Sequence, residues 1–381
     1  METAVMIVTL VFWASLGVVV YAYAGYPLLV AAWARRQGCN PYQGREQPPL
    51  TVVVTAYNEA TRIAARVQDI LAQDYPADRL RVLVVSDGSR DGTAHAAALG
   101  DPRVTVLALA ENVGKAAALN AALAQVHTEL VAFTDARQRY AVGALAALVA
   151  PFSDARIGAV SGELMIATPE NGGGGHDVGL YWRMEKKLRH DEARLGWLHG
   201  VSGAVYALRR ELFRPLPAGT VLDDMWVPLQ VLLAGRWVWM ARDAIAYDQA
   251  SVSASEEFRR KLRTLAGNWQ LLARLPVLMH PLRNPVFFAW FSHKFLRLLV
   301  PWALLAALAA SALAPGTFYR IALFAQLLGY GWAIAGLRLP RLAARVPLLP
   351  AAGTFVMLNF AALLALPASL AWHPSRLWKK H

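Results

Sequence analysis

The chain has 381 residues, 56% of them hydrophobic, and a mean hydropathy of +0.33, which is too apolar for an ordinary soluble domain. Its single cysteine, Cys39, excludes an intramolecular disulfide framework. The net charge of +12 suits nucleic acid, an anionic membrane face or an anionic substrate. No zinc-finger pattern, RNA-recognition motif or lysine-rich tail accompanies that charge, so membrane lipid and phosphate are favoured and nucleic acid is not.

Residues 5–34 carry no charge, a run long enough to cross a ~30 Å hydrocarbon core. A cleaved signal peptide is the rival reading, but "METAVM" has no basic start and the apolar run is too long. Residues 1–34 are therefore expected to form an uncleaved transmembrane helix. Arg35, Arg36 and Arg45 follow it, which by the positive-inside rule puts the next domain, residues 35–276, in the cytoplasm. Within that domain "LTVVVTAYNE" and "LRVLVVSDGS" are β-branched runs ending in polar turns. "ATRIAARVQDILAQ" and "KAAALNAALAQV" have helical period and composition. Alternation of strand, turn and helix predicts an α/β fold with a parallel, Rossmann-like sheet. Ligands of such sheets bind beyond the C-terminal strand ends, where Tyr57–Glu59, Asp87 and Asp135 fall. "NGGGGHD" at 171–177 reads as a mobile loop.

Beyond the domain, "NPVFFAWFSHKFLR" mixes aromatic residues with His293, Lys294 and Arg297, and residues 277–294 are expected to lie in the headgroup layer. Phe295–Leu313, Phe318–Leu337 and Ala351–Trp372 are three candidate spans within 295–381. One span plus three puts both termini outside, whereas the Arg338–Arg345 loop and Arg376, Lys379 and Lys380 favour an inside C-terminus. The side of the C-terminus is left open, as is the oligomeric state.

Four turns carry chemistry-bearing residues. "VVVTAYNEA" places Thr55, Tyr57, Asn58 and Glu59 at the end of the first strand, where polar residues are needed for the turn itself. "VVSDGSRDGT" leaves Asp87 free to accept from a ligand amide, or forms an Asx turn that caps the next helix. "NVGKAAALN" sets Lys115 at a helix start behind Gly114, where backbone and helix field suit a phosphate. "VAFTDARQ" ends a buried strand in Asp135, with Arg137 two residues on.

In this order, the set resembles the family 2 glycosyltransferases, the inverting enzymes that include hyaluronan, chitin and cellulose synthases. The resemblance implies a GT-A nucleotide-sugar-binding domain inserted between transmembrane helices of the cell's inner membrane. It also implies a UDP-sugar donor and a polysaccharide or lipid-linked acceptor. By the same resemblance Tyr57, Asn58 and Glu59 border the nucleoside, Asp87 reads the base, and Lys115 lies near the diphosphate. Asp135 is the first acid of a D-x-D motif that holds Mg²⁺ or Mn²⁺. Arg137 stands where that motif has its second acid. It cannot ligate a metal, but its planar fork suits a phosphate oxygen, or it can pair with Asp135.

"TVLDDMWVP" resembles the family's acidic pair, whose second acid is the general base; Asp223 and Asp224 fill the two places. Adjacent carboxylates raise each other's pKa and so improve a base near neutrality. The same residues also suit an acidic first turn of a helix. "GVSGAVYALRR" resembles the segment that floors the acceptor site. "YWRMEKKLRH" reads as a basic amphipathic helix near the membrane. In "EEFRRKLRTLAGNWQLL", Arg263 matches the arginine of the Q-x-x-R-W sequence of processive members, while Arg260 and Thr264 replace its Gln and Trp. That departure weighs against processive synthesis. A single transfer to a lipid phosphate carrier, or a nucleotide-binding partner subunit without catalysis, are the alternatives.

Overall fold

In the computed structural model, residues 2–167, 179–249, 254–343 and 345–371 are described. The glycine-rich 171–177 segment and Arg376, Lys379 and Lys380 lie outside them. Eight strands form one sheet: β1 (Leu50–Ala56), β2 (Leu80–Asp87), β3 (Val104–Leu109), β4 (Leu130–Asp135), β5 (Arg139–Tyr140), β6 (Ile157–Ala167), β7 (Tyr206–Arg209) and β8 (Trp237–Gln249). Their spatial order is β3-β2-β1-β4-β7-β6-β8-β5.

The first four strands are mutually parallel, joined through the Ala60–Leu71, Thr93–Ala97 and Lys115–Gln125 helices. Covered on both faces, β1, β2 and β4 read as nearly continuous apolar runs, with Val52, Val54, Val84 and Leu130 fully buried. The parallel reading of the sequence holds for this half only. β7 runs antiparallel to β4 and to β6, and β5 runs antiparallel to β8, so the sheet is mixed. β6 and β8 are parallel to each other, with register shifts between Ile157 and Ala159 and between Ser161 and Glu163.

Register fixes the site. Thr55 is opposite Asp135 on one side and Val85 on the other, so β1, β2 and β4 end along one edge. Phe133 of β4 stacks on Tyr206 of β7 at 4.7 Å, tying the two halves of the sheet just below that edge.

Among the described residues, four helices are long and apolar enough to cross a membrane: Glu2–Gln37, Phe287–Leu313, Thr317–Arg338 and Leu349–Ala371. The aromatic segment expected as a separate interfacial helix is continuous with the second of them, and His293 is buried in place of facing outward. The first and second of these helices each open into a π turn, at Tyr21–Gly25 and Phe291–Phe295. On Thr317–Arg338, Ile321, Phe324 and Leu328 stay exposed, as lipid-facing residues would. The amphipathic Ala254–Arg274 helix joins the two regions. Its Leu262 and Ala266 pack on Ala365 and Ala368, and Phe258 stacks on Phe360.

Candidate active site

The turns after β1 and β2 interlock. Asn58 adopts a left-handed conformation (φ 53°), donates its backbone N–H to Ser89 Oγ and accepts from the Arg90 N–H. Such a conformation is tolerated by Asn because its short side chain bonds locally. Glu59 donates its N–H to Thr93 Oγ1 at 2.9 Å and is buried, its carboxylate paired with Arg62. Asp91 accepts from the N–H groups of Ala60 and Thr93, and these bonds lower its pKa, with the Thr93 hydroxyl contributing most. Tyr57 projects from this braced turn and is exposed.

Asp87 is engaged within the protein. Its carboxylate is not left free, because it accepts from the Val113 N–H at 2.8 Å, the Gly114 N–H at 3.0 Å and Asn112 Nδ2 at 3.0 Å. The ring of donors reaches across from the loop before Lys115, and Gly88 and Gly114 take positive φ where the two loops meet. Asp87 thus holds the Lys115 helix against β2.

That helix start delivers Lys115 into a group of acids. Its Nζ lies 3.1 Å from Asp135 Oδ1, at the end of β4, and 3.1 Å from Asp223 Oδ2. Asp223 and Asp224 open the Asp223–Leu233 helix, as the acidic pair predicts for a helix start. Burial opposes the Lys115 charge, but Asp135, Asp223 and Asp224 together hold its pKa above the ordinary range. The Asp224 carboxyl is pushed up to about 6, first by burial and then by Asp223, with Lys115 opposing. Arg263 lies in the field of the same acids. Burial lowers its pKa, while Asp224 and Asp223 pull it back up.

Asp224 is backed by the 200–204 segment. Its carbonyl accepts from the Val201 N–H at 2.9 Å, and Ser202 donates its N–H to Ser161 Oγ. A Cβ placed on Gly203 would be 3.6 Å from Asp224 Cβ and 3.9 Å from Lys115 Nζ, so this glycine lines the space beside Asp224.

Arg137 does not make the pair with Asp135 that the sequence allowed. It pairs neither with Asp135 nor with any group at the strand-end edge: its guanidinium donates to Asp248 Oδ2 of β8 at 2.7 Å, alongside Gln138 Nε2 at 3.1 Å. Asp248 is buried and has no other cation within 4 Å among the described residues, so it takes the arginine. Arg137→Asp would restore the two-acid spacing but set two carboxylates against each other. Turnover and melting temperature should both fall, and Asp248→Asn should recover part of each loss, which a double-mutant cycle measures. A gain in activity with the single change would show that the Asp248 tie is dispensable.

Residues 51–216 match the model of the family described as "Glycosyl transferase family 2". An N-acetylglucosaminyltransferase from Bradyrhizobium elkanii is 37% identical over 123 residues, 31% of this chain and 67% of that protein. The chain belongs to glycosyltransferase family 2. An N-acetylglucosaminyltransferase from Rhizobium meliloti (strain 1021) is 31% identical over 245 residues, covering 59% of this chain and 56% of the relative. The chain thus spans just over half the length of the first curated relatives it matches. A solved structure of a mannosyltransferase from Pyrobaculum calidifontis, in complex with GDP-Man and Mn²⁺, superposes with a TM-score of 0.70 at 24% identity. It covers 95% of this chain and 99% of its own, and the shared fold is GT-A.

Beside the acids stand two residues that sequence reasoning passed over. Arg189, in the helix read as a solvated basic face, donates to the Gly200 carbonyl and its charge reaches Asp224. Tyr206 is fully buried with its hydroxyl unbonded, and burial plus Asp223, Asp224 and Asp135 raise its pKa. No local signal marks either residue.

Whether the acids fit a divalent cation is decided by their donor atoms and by Asp223. Asp135 and Asp223 both lie 3.1 Å from Lys115 Nζ, and buried Asp223 Oδ2 receives no aligned hydrogen bond. Hard oxygen donors of this kind suit Mg²⁺ or Mn²⁺. The residues fit the ion.

Proposed function

We propose that the protein is an inverting glycosyltransferase that moves a sugar from a nucleoside diphosphate sugar to an acceptor hydroxyl at the membrane surface. The observation that carries this reading is Asp224. It is a carboxylate with its pKa pushed up to about 6, at the C-terminal edge of the parallel strands, beside a glycine-lined space. The curated relatives, named N-acetylglucosaminyltransferases, support a UDP-linked N-acetylhexosamine as donor.

In this reading the acceptor oxygen attacks the anomeric carbon while Asp224 takes the hydroxyl proton. The bond from that carbon to the diphosphate breaks, and the nucleoside diphosphate leaves with the electron pair. Asp135, with Asp223 beside it, would hold Mg²⁺ or Mn²⁺, which supplies positive charge to the leaving diphosphate. Lys115 brings a second positive charge to the same place, and Arg263 adds another in the field of Asp224 and Asp223. Thr55, Tyr57, Asn58 and Glu59 form the braced rim on which the nucleoside rests. Asp87 acts through the Asn112–Gly114 loop, by fixing where Lys115 stands. The domain spanning 35–276 lies on the cytoplasmic side of the inner membrane, since Arg35 and Arg36 follow the first span.

A single transfer to a lipid-linked acceptor is favoured over chain extension by Thr264, which stands in the place of the Trp of Q-x-x-R-W. The test is nucleoside diphosphate release by purified full-length protein across a panel of UDP- and GDP-sugars with Mg²⁺ or Mn²⁺, with product sizing. Release with a product one sugar longer is expected. Nucleotide binding without release overturns the enzyme reading, and long products overturn the single transfer.

A further inference from the structure

Where the Gly179–Arg194 helix meets the first two candidate spans, three buried side chains converge. Glu192, His199 and His293 each offer a ligand atom, all within 4.8 Å of one another. Each residue is at most 1% exposed. They come from three separate parts of the chain: the Gly179–Arg194 helix, the loop after it, and the π turn at Phe291–Phe295.

The surrounding hydrogen bonds orient each ring. His199 Nδ1 is 3.1 Å from the Trp197 carbonyl, which puts its proton on that nitrogen and leaves Nε2 with a lone pair. His293 Nε2 is 2.9 Å from Glu185 Oε1, so it can donate there and present Nδ1 to Glu192, 2.8 Å away. A backbone carbonyl behind one imidazole and a carboxylate behind the other is the outer arrangement that metal-bound histidines have. Arg297 occupies the other oxygen of Glu185 at 2.9 Å, so Glu185 is committed and Glu192 remains. Tyr26 donates to Glu192 Oε1 at 2.6 Å, while Glu192 Oε2 is buried with no hydrogen-bond partner. An unbonded carboxylate oxygen in such a place is costly unless something charged reaches it.

We propose that Glu192, His199 and His293 bind a divalent transition-metal ion of the zinc class, which pins the family 2 domain to its membrane helices. Two imidazoles and one carboxylate are a zinc ligand set, and a fourth position is left for water. Binding replaces the proton shared between His293 Nδ1 and Glu192 Oε1, which is released to solvent. The nitrogen donors separate this site from the all-oxygen acids around Lys115, which favour Mg²⁺ or Mn²⁺. π turns concentrate at functional positions, and here two of them border the cluster, with Tyr21 Oη 2.9 Å from Ser292 Oγ across the gap between them.

The experiment uses full-length, tag-free protein in detergent, stripped with chelator and then equilibrated with Zn²⁺ or Co²⁺ alone. One equivalent of zinc should be retained, and Co²⁺ should give the intense visible bands of a four-coordinate site. Both should persist in Asp135→Asn, which alters the Lys115 pair and none of the three proposed ligands, and should be lost in His199→Asn and Glu192→Gln. Should His199→Asn not fold, His199→Cys decides: a near-ultraviolet thiolate-to-Co²⁺ band supports the site, and its absence overturns it. Substoichiometric zinc in the parent, or binding unchanged by His199→Asn, also overturns the proposal and makes the cluster a protonated ion-pair clamp.

Discussion

Asp224→Asn should lower turnover by ~10²–10⁴-fold, the range that loss of a general base produces, while nucleotide affinity stays close to that of the parent. The base acts on the acceptor proton, so the donor side keeps Lys115, Asp135 and the braced turns. In the parent, a base works only when ionised, so turnover should rise with pH through about 6 and level off above it. Stability runs the other way. A carboxyl whose folded pKa is raised from 3.8 stabilises the fold fully below that value and loses the contribution as pH rises through about 6. At neutral pH the ionised, buried Asp224 therefore costs the fold stability. Asn carries no charge there, so the variant should melt at or above the parent temperature. Thermal melts and steady-state rates on one preparation check both. Retained turnover would move the base to Asp223, and a lowered melting temperature would mean that the lost activity reflects unfolding.

What the sequence revealed and what it hid divide along one physical line. β1, β2, β4 and their turns were legible because each is an apolar run ending in polar residues, a signal contained in ten consecutive positions. Lys115 was legible as a helix start near phosphate chemistry for the same reason. Its two carboxylate partners come from β4 and from the Asp223–Leu233 helix, and no local pattern announces that the ammonium bridges them. Arg137 was misplaced because its partner, Asp248, lies 111 residues away on β8. The antiparallel half of the sheet was missed since β7 has only four residues, Tyr206–Arg209, too short to show a period. His293 was read as a headgroup residue from its aromatic neighbours. Glu185 and Glu192, more than 100 residues earlier, draw it inward.

Lys115→Met is the change expected to disturb the site most widely, because it removes the one cation within 4 Å of Asp135 and Asp223 among the described residues. Lys115 also opposes the upward push on the Asp224 pKa. Without it the carboxyl should titrate above 6, and the acidic limb of the pH–rate profile should move to higher pH. Turnover at neutral pH should fall by ~10²–10³-fold, the loss typical when a charge that stabilises a leaving group is deleted. Stability should follow the charges. Because the ammonium is held above its ordinary range, its contribution is present throughout neutral pH. Lys115 also offsets the burial of ionised Asp224, so the Met variant should fall behind the parent as pH rises through the range in which Asp224 ionises. Lys115→Arg provides the control: it keeps a cation between the acids, so the limb should stay near 6 even if longer reach lowers turnover. A Met variant with an unmoved acidic limb would mean that Lys115 does not tune Asp224 and that its role is confined to the donor.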